Sequence, residues 1–525
     1  MLINFLRFFK TIFSNSRILM LMIFAGCLFS NNLSAQEAEG VAPEFLKYEN
    51  SKWVDSIMST LSPDERVAQL IMIAAYSNRD EKHKEETLKL IKEQKVGGVL
   101  FFQGDPVRQV KLMNEYQAAS KVPLLGAIDA EWGVGMRLDS TVSFPFQMAL
   151  GAVKDDSLIY NMGAQIARDV KRVGLHMNFA LMVDVNNNAG NPVINYRSFG
   201  EDKYNVAKKG VAYVKGSQGE NVLTTAKHFP GHGDTDVDSH YSLPQINHSF
   251  GRLDSLELYP FKELLKAGAS GVMVAHLNIP SLDSTGVPST LSYPTITDLL
   301  KKKLKFKGLV VTDAMNMKGV TEGNTPGIVD KDALLAGNDL LEFTEDVPKA
   351  IEEIRKAINA GLISQAEIDR RARKILAVKQ WVGLDNYKPT PLYNIIEELN
   401  SPEVALMNRK LTEASLTVLK NEGDILPVKE LNKHSIASLS FGKEEETTFQ
   451  RSVGLYAGTA NFNLPFEASE EEVDSIRALL QPYNMVIAGV HDSSKYPRNN
   501  LNLAGLSFIS SERTFSKRKY NNCLF

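Results

Sequence analysis

Short apolar segments alternate with amphipathic segments of helical period along most of this chain, and this alternation constrains the fold more than any other feature. Several of the apolar segments lack polar positions, which is typical of parallel strands buried on both faces. Strands of this kind over roughly three hundred residues match a (β/α)8 barrel, so we predict an α/β fold of the TIM-barrel type. The predicted strands are residues 67–76, 96–102, 123–129, 177–185, 222–228, 271–276, 308–313 and 339–343.

Amphipathic stretches between these strands supply the predicted helices. An open, doubly wound parallel sheet is the alternative fold, because counting strands does not exclude it. However, no G-x-G-x-x-G motif follows the first strand, as a dinucleotide-binding sheet of that type would require. The predicted helices are residues 81–94, 158–174, 205–219, 253–267 and 295–305.

The length and composition restrict the class of protein. A chain of 525 residues is long enough for two to four domains. Its shares of hydrophobic and charged residues, 43% and 23%, are ordinary for a globular protein. The net charge of -3 and the lack of a basic stripe with interleaved aromatic residues argue against a nucleic-acid partner.

Residues 1–35 are predicted to be a secretory signal peptide. Basic residues precede an apolar run over residues 18–29, and Leu33-Ser34-Ala35 offers a small-residue cleavage site. In a second interpretation, Phe24-Ala25-Gly26-Cys27 is a bacterial lipobox and Cys27 carries a lipid anchor. A third is an uncleaved membrane anchor. We expect an exported protein, either periplasmic or associated with the outer membrane as a lipoprotein.

The predicted barrel domain covers residues 36–395, and a partial α/β sandwich domain covers residues 396–525. The second domain contains a helix over residues 405–414. Its end, residues 507–525, is polar, basic and aperiodic and does not complete a sheet. We therefore expect a truncated or frame-shifted second domain, with a natural short tail as the alternative. A linker is predicted at residues 385–392 and strands at residues 415–419, 436–440 and 485–488.

The loop after the fifth predicted strand, residues 227–240, concentrates groups that titrate. The strand carries Lys227 and His228 at its end, and the loop adds His232, Asp234 and His240. A metal site is one interpretation, since His and Asp are zinc and iron ligands. A second is that these groups are hydrogen-bonded parts of an ordered loop. A third is a general acid/base centre.

The acid/base interpretation rests on the pair Asp238 and His240. A carboxylate that accepts the imidazole Nδ1–H fixes the tautomer and leaves Nε2 to exchange a proton with a substrate. Asp313 follows the apolar run Leu309–Thr312, and a carboxylate on the rim of a barrel can serve as a nucleophile. Retaining glycoside hydrolysis requires a nucleophile and a proton donor of this kind.

The loop motif Lys227-His228-Phe229-Pro230-Gly231-His232-Gly233, together with the following Asp-Ser-His, resembles glycoside hydrolase family 3 in its β-N-acetylglucosaminidase branch. The resemblance covers about residues 51–383. Further matching motifs, which are specific in their order and spacing, are Gly97–Val99, Ile128-Asp129, Asn178–Ala180, Val183–Val185, Arg197–Gly200, Met273–His276, Val311–Met315 and Ala336–Asp339.

The resemblance implies a role for each matched position. Asp313 corresponds to the nucleophile, His240 to the histidine acid/base and Asp238 to the carboxylate that orients it. The segment after Asp129 departs from the family, since Ala130, Trp132 and Val134 replace Gln, Gly and Arg of most relatives. Neither a metal nor another cofactor is implied. Residues implied to bind the sugar are Asp129, Arg137, Arg197, Lys227 and His228.

The function implied by the resemblance is that of a retaining exo-β-N-acetylglucosaminidase, a β-N-acetylhexosaminidase. Its partner would be a small carbohydrate, with terminal N-acetylglucosamine removed from peptidoglycan fragments or chitin oligosaccharides. The alternatives are an N-acetylglucosaminide phosphorylase, a β-glucosidase and a carbohydrate-binding barrel without catalysis. A phosphorylase remains open because a neutral histidine repels an incoming phosphate less than a carboxylate does.

Overall fold

The computed structural model describes residues 40–491, residues 494–495 and the backbone of Cys523–Leu524. The predicted signal peptide, residues 1–35 with Cys27, lies outside the described residues. Within the described part of the chain, no helix has the length and apolar character needed to cross a bilayer.

Parallel strands follow one another in chain order around a closed barrel. The first strand pairs with the second on one side and with the eighth on the other. The backbone of Leu340 closes the gap between the eighth and seventh strands through Val311 and Val310. This order confirms the TIM barrel and excludes the doubly wound alternative. The strands are β1 (Ile71–Ala75), β2 (Gly98–Phe101), β3 (Leu125–Ile128), β4 (Met177–Asn178), β5 (Leu223–Phe229), β6 (Gly271–Val274), β7 (Leu309–Thr312) and β8 (Leu341–Glu342).

Every predicted barrel strand overlaps an observed one, but most of the observed strands are shorter. The segment before β1 is helical as far as Ala68, because Ser62 caps a helix that begins at Pro63. The predicted strand at residues 177–185 is wrong beyond Asn178. The chain pairs with β5 again only through an isolated parallel bridge between Met182 and Lys227, where Val183 N donates to the Lys227 carbonyl at 2.9 Å.

Helices pack around the outside of the barrel near the predicted positions. The helix predicted at residues 253–267 is split in two at Leu256–Glu257, and Pro260 cannot donate a hydrogen bond back to Leu256. The helices are Lys52–Thr60, Pro63–Ala68, Glu81–Gln94, Pro106–Ala119, Gln147–Gly151, Asp156–Arg172, Lys203–Gly219, Phe250–Ser255, Leu258–Lys266, Pro294–Lys303, Lys318–Thr321, Ile328–Ala336, Val347–Asn359 and Gln365–Trp381.

The two helices that follow the predicted linker belong to the barrel core. They are Ile395–Leu399 and Pro402–Ser415, and Leu399, Val404 and Leu411 are buried in the main hydrophobic cluster. These apolar side chains therefore pack with the barrel, whereas the sheet that follows has a separate hydrophobic cluster.

A smaller parallel sheet follows, whose strands are numbered β9 to β12 along the chain. They lie in the order β10-β9-β11-β12, and the sheet has a hydrophobic cluster of its own. The predicted strand at residues 415–419 is wrong. That segment pairs with no strand among the residues that the structure describes, and Leu419 is 94% exposed. Residues 507–525 are predicted not to complete a sheet, but Cys523–Leu524 within them form a short strand. The elements are β9 (Ile436–Phe441), β10 (Thr459–Leu464), β11 (Met485–Val490), β12 (Cys523–Leu524) and the helices Thr448–Gly454 and Glu470–Leu480.

Asp339 lies where the barrel closes, and its carboxylate joins three elements. Its Oδ1 accepts from Lys301 Nζ at 2.9 Å, and its Oδ2 accepts from Lys374 Nζ at 3.1 Å and from Val310 N at 3.0 Å. Burial opposes ionisation of this side chain, but the two lysines outweigh it and hold the pKa of Asp339 well below its ordinary value.

We predict that Asp339→Asn lowers the free energy of unfolding by about 3–5 kcal/mol at neutral pH, because two buried lysines lose their carboxylate. The pKa of Asp339 is lowered in the folded state. Its contribution is therefore present above the unfolded-chain pKa of about 3.9 and is lost as the pH falls further. Urea unfolding followed by circular dichroism should give a much lower free energy of unfolding for Asp339→Asn than for the unmodified protein at neutral pH. The difference in free energy should be smaller at acidic pH.

Asp298→Asn is the matched control for this prediction. Asp298 is 51% exposed and pairs with Lys302 on the surface, where an ion pair contributes at most about 1 kcal/mol. Equal loss of stability in the two variants would contradict the role assigned to Asp339.

Candidate active site

A cavity of about 300 Å³ opens at the carboxyl ends of the barrel strands, the end at which barrel enzymes place their active sites. Its volume falls at the small end of the range for ligand pockets. Every predicted site residue except Asp238 lines it. The lining residues are Tyr76, Phe102, Asp129, Glu131, Met136, Arg137, Val193, Arg197, Lys227, His228, His232, Ser239, His240, Met273, Asp313, Ala314, Asn316, Met317, Glu342 and Phe343.

Lys227 and His228 are consecutive residues of β5, yet both side chains line the cavity. Neighbours in a regular strand point to opposite faces. The β5–β6 pairing shifts its register between Ala226 and Phe229, and an irregularity of this kind re-aims side chains near active sites. The shift accounts for the presence of both polar groups on the cavity side.

Buried ion pairs connect Asp129, Arg137 and Lys227. Asp129 Oδ2 accepts from Arg137 Nη2 at 2.8 Å, and Oδ1 accepts from Lys227 Nζ at 2.9 Å. Burial opposes the ionisation of Asp129, but the two cations, Lys227 first, lower its pKa. Arg137 Nε is buried and has no hydrogen-bond partner among the described residues. These residues therefore offer a sugar both carboxylate acceptors and guanidinium donors.

Glu131 extends this network and was not predicted as a site residue. Its Oε1 lies 2.9 Å from Lys227 Nζ and 2.7 Å from Arg197 Nη2, and its Oε2 accepts from Arg197 Nε at 2.9 Å. The remaining Arg197 nitrogen, Nη1, donates to the Val193 carbonyl at 3.2 Å. Arg197 thus lines the cavity with its nitrogens engaged by the protein, and its predicted contact with a sugar stays a prediction.

His228 is held by Asp184, a fully buried carboxylate at the end of the segment that leaves β4. Asp184 Oδ2 lies 2.9 Å from His228 Nδ1, and Oδ1 accepts from His232 N at 2.7 Å. The histidine Nδ1–H donates to the carboxylate, so Nε2 is the acceptor that remains for a ligand. The sequence showed Asp184 as a polar strand end but did not reveal this role.

Asp313 directly follows β7, and its backbone is fixed because Asp313 N donates to the Val274 carbonyl at 2.9 Å. Its Oδ1 accepts from Ala314 N at 2.9 Å. Burial opposes ionisation, but electrostatic interactions with His228 and then His276, together with the Ala314 N–H, outweigh it and lower the pKa of Asp313 to about 2. A carboxylate that is ionised and lines the cavity has the charge and position of a nucleophile.

Asp238 and His240 form the predicted pair. Asp238 Oδ1 accepts from His240 N at 2.9 Å and lies 2.7 Å from His240 Nδ1. The loop that carries them is held over the cavity, since Gly319 N donates to the Ser239 carbonyl at 3.1 Å. Gly319 lies in the segment after β7, so the loop that carries the histidine is hydrogen-bonded to the segment that follows Asp313.

The other polar groups of this loop stabilise its conformation. His232 Nδ1 lies 2.9 Å from Thr235 Oγ1 and its Nε2 lies 3.2 Å from Ser239 Oγ, while Asp234 Oδ2 lies 2.6 Å from His248 Nε2. Gly233 is required here because a Cβ at this position would lie 1.8 Å from the Val185 carbonyl oxygen.

The metal interpretation of the loop finds no support in these contacts. The four residues it would need have separate protein partners: Asp184 for His228, Ser239 for His232, His248 for Asp234 and Asp238 for His240. A different group, Asp234, His248 and Glu257, has ligand atoms within 4.8 Å of one another. There, however, Arg252 Nη1 donates to Glu257 at 2.6 Å, and a guanidinium in that position disfavours a cation.

Aromatic rings form another part of the cavity wall, next to the ion pairs, since the Arg137 guanidinium lies 5.0 Å from the centroid of the Phe102 ring. Phe102 stacks on Tyr76 with ring centroids 5.1 Å apart and meets Phe343 edge-on at 5.6 Å. A second aromatic group begins at Trp132, the residue that departs from the family pattern. Trp132 packs against Phe146 at 4.9 Å. The cavity thus combines a charged side with an apolar side, as sites for small polar ligands commonly do.

Comparison with known proteins identifies the family. The family model described as "Glycosyl hydrolase family 3 N terminal domain" matches residues 62–378, more than half of the chain. The chain belongs to glycosyl hydrolase family 3. This match confirms the family predicted from the loop motif. It also confirms the predicted enzyme class, which is that of the glycoside hydrolases.

Individual family 3 relatives are similar over much of the chain. "Beta-hexosaminidase A" of Pseudoalteromonas piscicida is 31% identical over 378 residues, which is 66% of this chain and 62% of that relative. "Beta-N-acetylglucosaminidase/beta-glucosidase" of Cellulomonas fimi is 27% identical over 396 residues, covering 74% of this chain and 70% of that relative. The chain thus spans less than two thirds of the first of these proteins.

A solved family 3 structure, the beta-N-acetylglucosaminidase from Paenibacillus sp. str. FPU-7, has the same architecture. It superposes with a TM-score of 0.70 at 32% sequence identity, covering 82% of this chain and 85% of that one. The barrel followed by a smaller parallel sheet is therefore shared with this family 3 structure.

Proposed function

We propose that the protein is a retaining exo-β-N-acetylglucosaminidase that works without a cofactor. The observation that carries the proposal is the pairing of an ionised Asp313 on the cavity wall with the Asp238–His240 pair, whose loop is hydrogen-bonded to the segment after β7. A nucleophile and a proton donor on either side of a glycosidic bond are what retaining hydrolysis requires. The names of the Cellulomonas relative and of the Paenibacillus structure support N-acetylglucosamine as the glycone, and the name of the Pseudoalteromonas relative supports a hexosamine.

In the first step, an Asp313 oxygen attacks the anomeric carbon while His240 Nε2 gives its proton to the departing oxygen. The glycosidic C–O bond breaks, and a glycosyl ester forms on Asp313. In the second step, neutral His240 takes a proton from water as the water oxygen attacks the same carbon. Asp313 then leaves as a carboxylate with the β-configuration retained. Asp238 stabilises the imidazolium that supplies the proton in the first step and that forms again in the second.

The residues that would hold the sugar are Asp129, Arg137, Lys227 and His228, with Arg197 supporting them through Glu131. Asp129 accepts from hydroxyl groups, whereas Arg137 donates through its unpartnered Nε. The ring faces of Phe102 and Tyr76 offer an apolar surface against which the carbon-bearing face of a pyranose can pack. These contacts would fix the glycone relative to Asp313.

Hydrolysis of p-nitrophenyl β-N-acetylglucosaminide and of the matching glucoside tests the proposal. We expect turnover of the first and weak or no turnover of the second, and the reverse preference would establish a β-glucosidase. An arm with added phosphate should leave the rate and product unchanged. Formation of N-acetylglucosamine 1-phosphate would identify a phosphorylase. Binding of the sugar without turnover of either compound would identify a binding protein.

For the natural substrate and location, we propose terminal N-acetylglucosamine of peptidoglycan fragments, or of chitin oligosaccharides, met outside the cytoplasm. Residues 1–35 support export, and Cys27 supports attachment to the outer membrane. Comparing a muropeptide-derived disaccharide with chitobiose tests the substrate. The mass of the mature N-terminus in the periplasmic and membrane fractions tests the location, and an unprocessed cytoplasmic chain would contradict export.

A further inference from the structure

Glu342, the last residue of β8, lines the cavity and was not predicted as a site residue. Its backbone is fixed on both sides, because Glu342 N donates to Thr312 Oγ1 at 2.9 Å and its carbonyl accepts from Met315 N at 2.9 Å. The residue is only 3% exposed, and its Oε2 is buried with no hydrogen-bond partner among the described residues. The carboxyl group of a rigidly held residue thus lines the cavity, and one of its two oxygens is unsatisfied.

The cations of the cavity wall are committed to other carboxylates. Arg137 pairs with Asp129, and Lys227 pairs with both Asp129 and Glu131. Arg197 pairs with Glu131. Within the described part of the chain, no ion pair reaches Glu342.

An ionised Glu342 would therefore be an unpaired buried anion beside Asp129 and Asp313, an arrangement that is strongly disfavoured. Burial and these two carboxylates raise the pKa of Glu342 well above its ordinary value, and Lys227 and Arg137 oppose this less strongly. Both effects favour the protonated form of the side chain, and a protonated carboxyl group donates a hydrogen bond.

We propose that Glu342 is a sugar-binding residue that acts as a neutral carboxylic acid and donates a hydrogen bond to an oxygen of the glycone. The proposal rests on the proposed function for the nature of the ligand. It assigns the β8 side of the cavity a donor next to Asp129 and Asp313, which as carboxylates can only accept. A neutral Glu342 also adds no further negative charge beside Asp313. Such a charge would repel the electron-rich oxygens of a sugar.

Two substitutions separate hydrogen bonding from packing. Glu342→Gln keeps the size and a donor, and it should leave kcat/KM for p-nitrophenyl β-N-acetylglucosaminide within about 3-fold of the unmodified enzyme. Glu342→Met keeps the size but removes the donor, and it should lower kcat/KM by about 10- to 100-fold, the effect of losing one buried hydrogen bond. Glu345→Gln, at an exposed position three residues further on, is the matched control and should behave as unmodified.

A binding measurement tests the proposal independently of turnover and of the Met variant. We would titrate N-acetylglucosamine calorimetrically against the unmodified protein and Glu342→Gln at several pH values. The affinity of the unmodified protein should fall as the pH rises and Glu342 ionises, whereas the affinity of Glu342→Gln should fall less. Both proteins contain the same neighbouring charged groups, so the titration of these groups affects both affinities alike. The groups are Asp129, Asp313, Lys227 and Arg137.

Several results would overturn the role of Glu342. They are a fully active Glu342→Met variant, a Glu342→Gln variant as impaired as the Met variant, and identical pH dependence of sugar binding in the unmodified and Gln proteins. Failure of the unmodified protein to hydrolyse any N-acetylglucosaminide would instead reject the proposed function. In that case the titration, with glucose as a second probe, would still decide whether Glu342 donates to a bound sugar.

Discussion

Asp313→Asn is expected to lower kcat for an aryl β-N-acetylglucosaminide by roughly 10⁴-fold, the size of effect seen when a nucleophilic residue is removed from a catalytic group. An amide oxygen is a far weaker nucleophile than a carboxylate, and it cannot form the glycosyl ester on which both steps depend. The side chains have almost the same size, and Asn can still accept the hydrogen bond from Ala314 N that Asp313 accepts at 2.9 Å. The fold should therefore be preserved.

Steady-state kinetics with p-nitrophenyl β-N-acetylglucosaminide measure this loss, and Asp298→Asn on the exposed surface serves as the control. A correctly folded Asp313→Asn enzyme with more than a few per cent of the activity would show that another group attacks the sugar. The pH dependence adds a second check. Because the pKa of Asp313 is lowered to about 2, the nucleophile stays ionised at working pH, and the acid limb of kcat/KM must belong to another group.

His240→Ala has the second largest expected effect, a loss of about 10²- to 10⁴-fold in kcat/KM, the usual contribution of a general acid/base. The loss should depend on the leaving group. A phenol of low pKa needs little protonation, so p-nitrophenyl substrates should be affected less than a disaccharide. Added azide, which needs no base to attack the glycosyl ester, should restore turnover of the activated substrate and yield the β-glycosyl azide.

The controls for this prediction lie in the same loop. Asp238→Asn should have a smaller effect than His240→Ala, because it removes the partner that lies 2.7 Å from His240 Nδ1 but leaves the imidazole in place. Tyr241→Phe changes an adjacent side chain that is 71% exposed and should be neutral. An equal loss on activated and unactivated substrates, without azide rescue, would show that His240 is needed for the loop and not for proton transfer.

The barrel was predictable from the sequence because its strands are local apolar runs. Asp129 and Asp313 could be placed at the rim for the same reason, since each directly follows such a run. The strand predicted at residues 415–419 failed because an apolar run forms a strand only where a neighbouring strand can pair with it. Leu419, at 94% exposure, has no such neighbour.

The ion pairs of the site could not be predicted, because their partners are far apart in the chain. Lys227 and Asp129 are separated by 98 residues, and Arg197 and Glu131 by 66. Local pattern shows that such residues are polar but not which of them meet. Glu342 did leave a signal, since its carboxyl group interrupts the apolar run Leu340–Phe343. Its state depends on Asp129 and Asp313, which only the closed barrel brings beside it.

Trapping of the glycosyl-enzyme tests the central claim most directly. N-acetylglucosaminyl fluoride with a second fluorine at C5 combines a good leaving group with a ring that resists the oxocarbenium-like transition state, so the ester should accumulate. We predict a mass increase of one fluorinated N-acetylglucosaminyl unit, located on Asp313 by peptide mapping. A label on any other residue, or turnover without a label and with inversion at the anomeric carbon, would contradict the account.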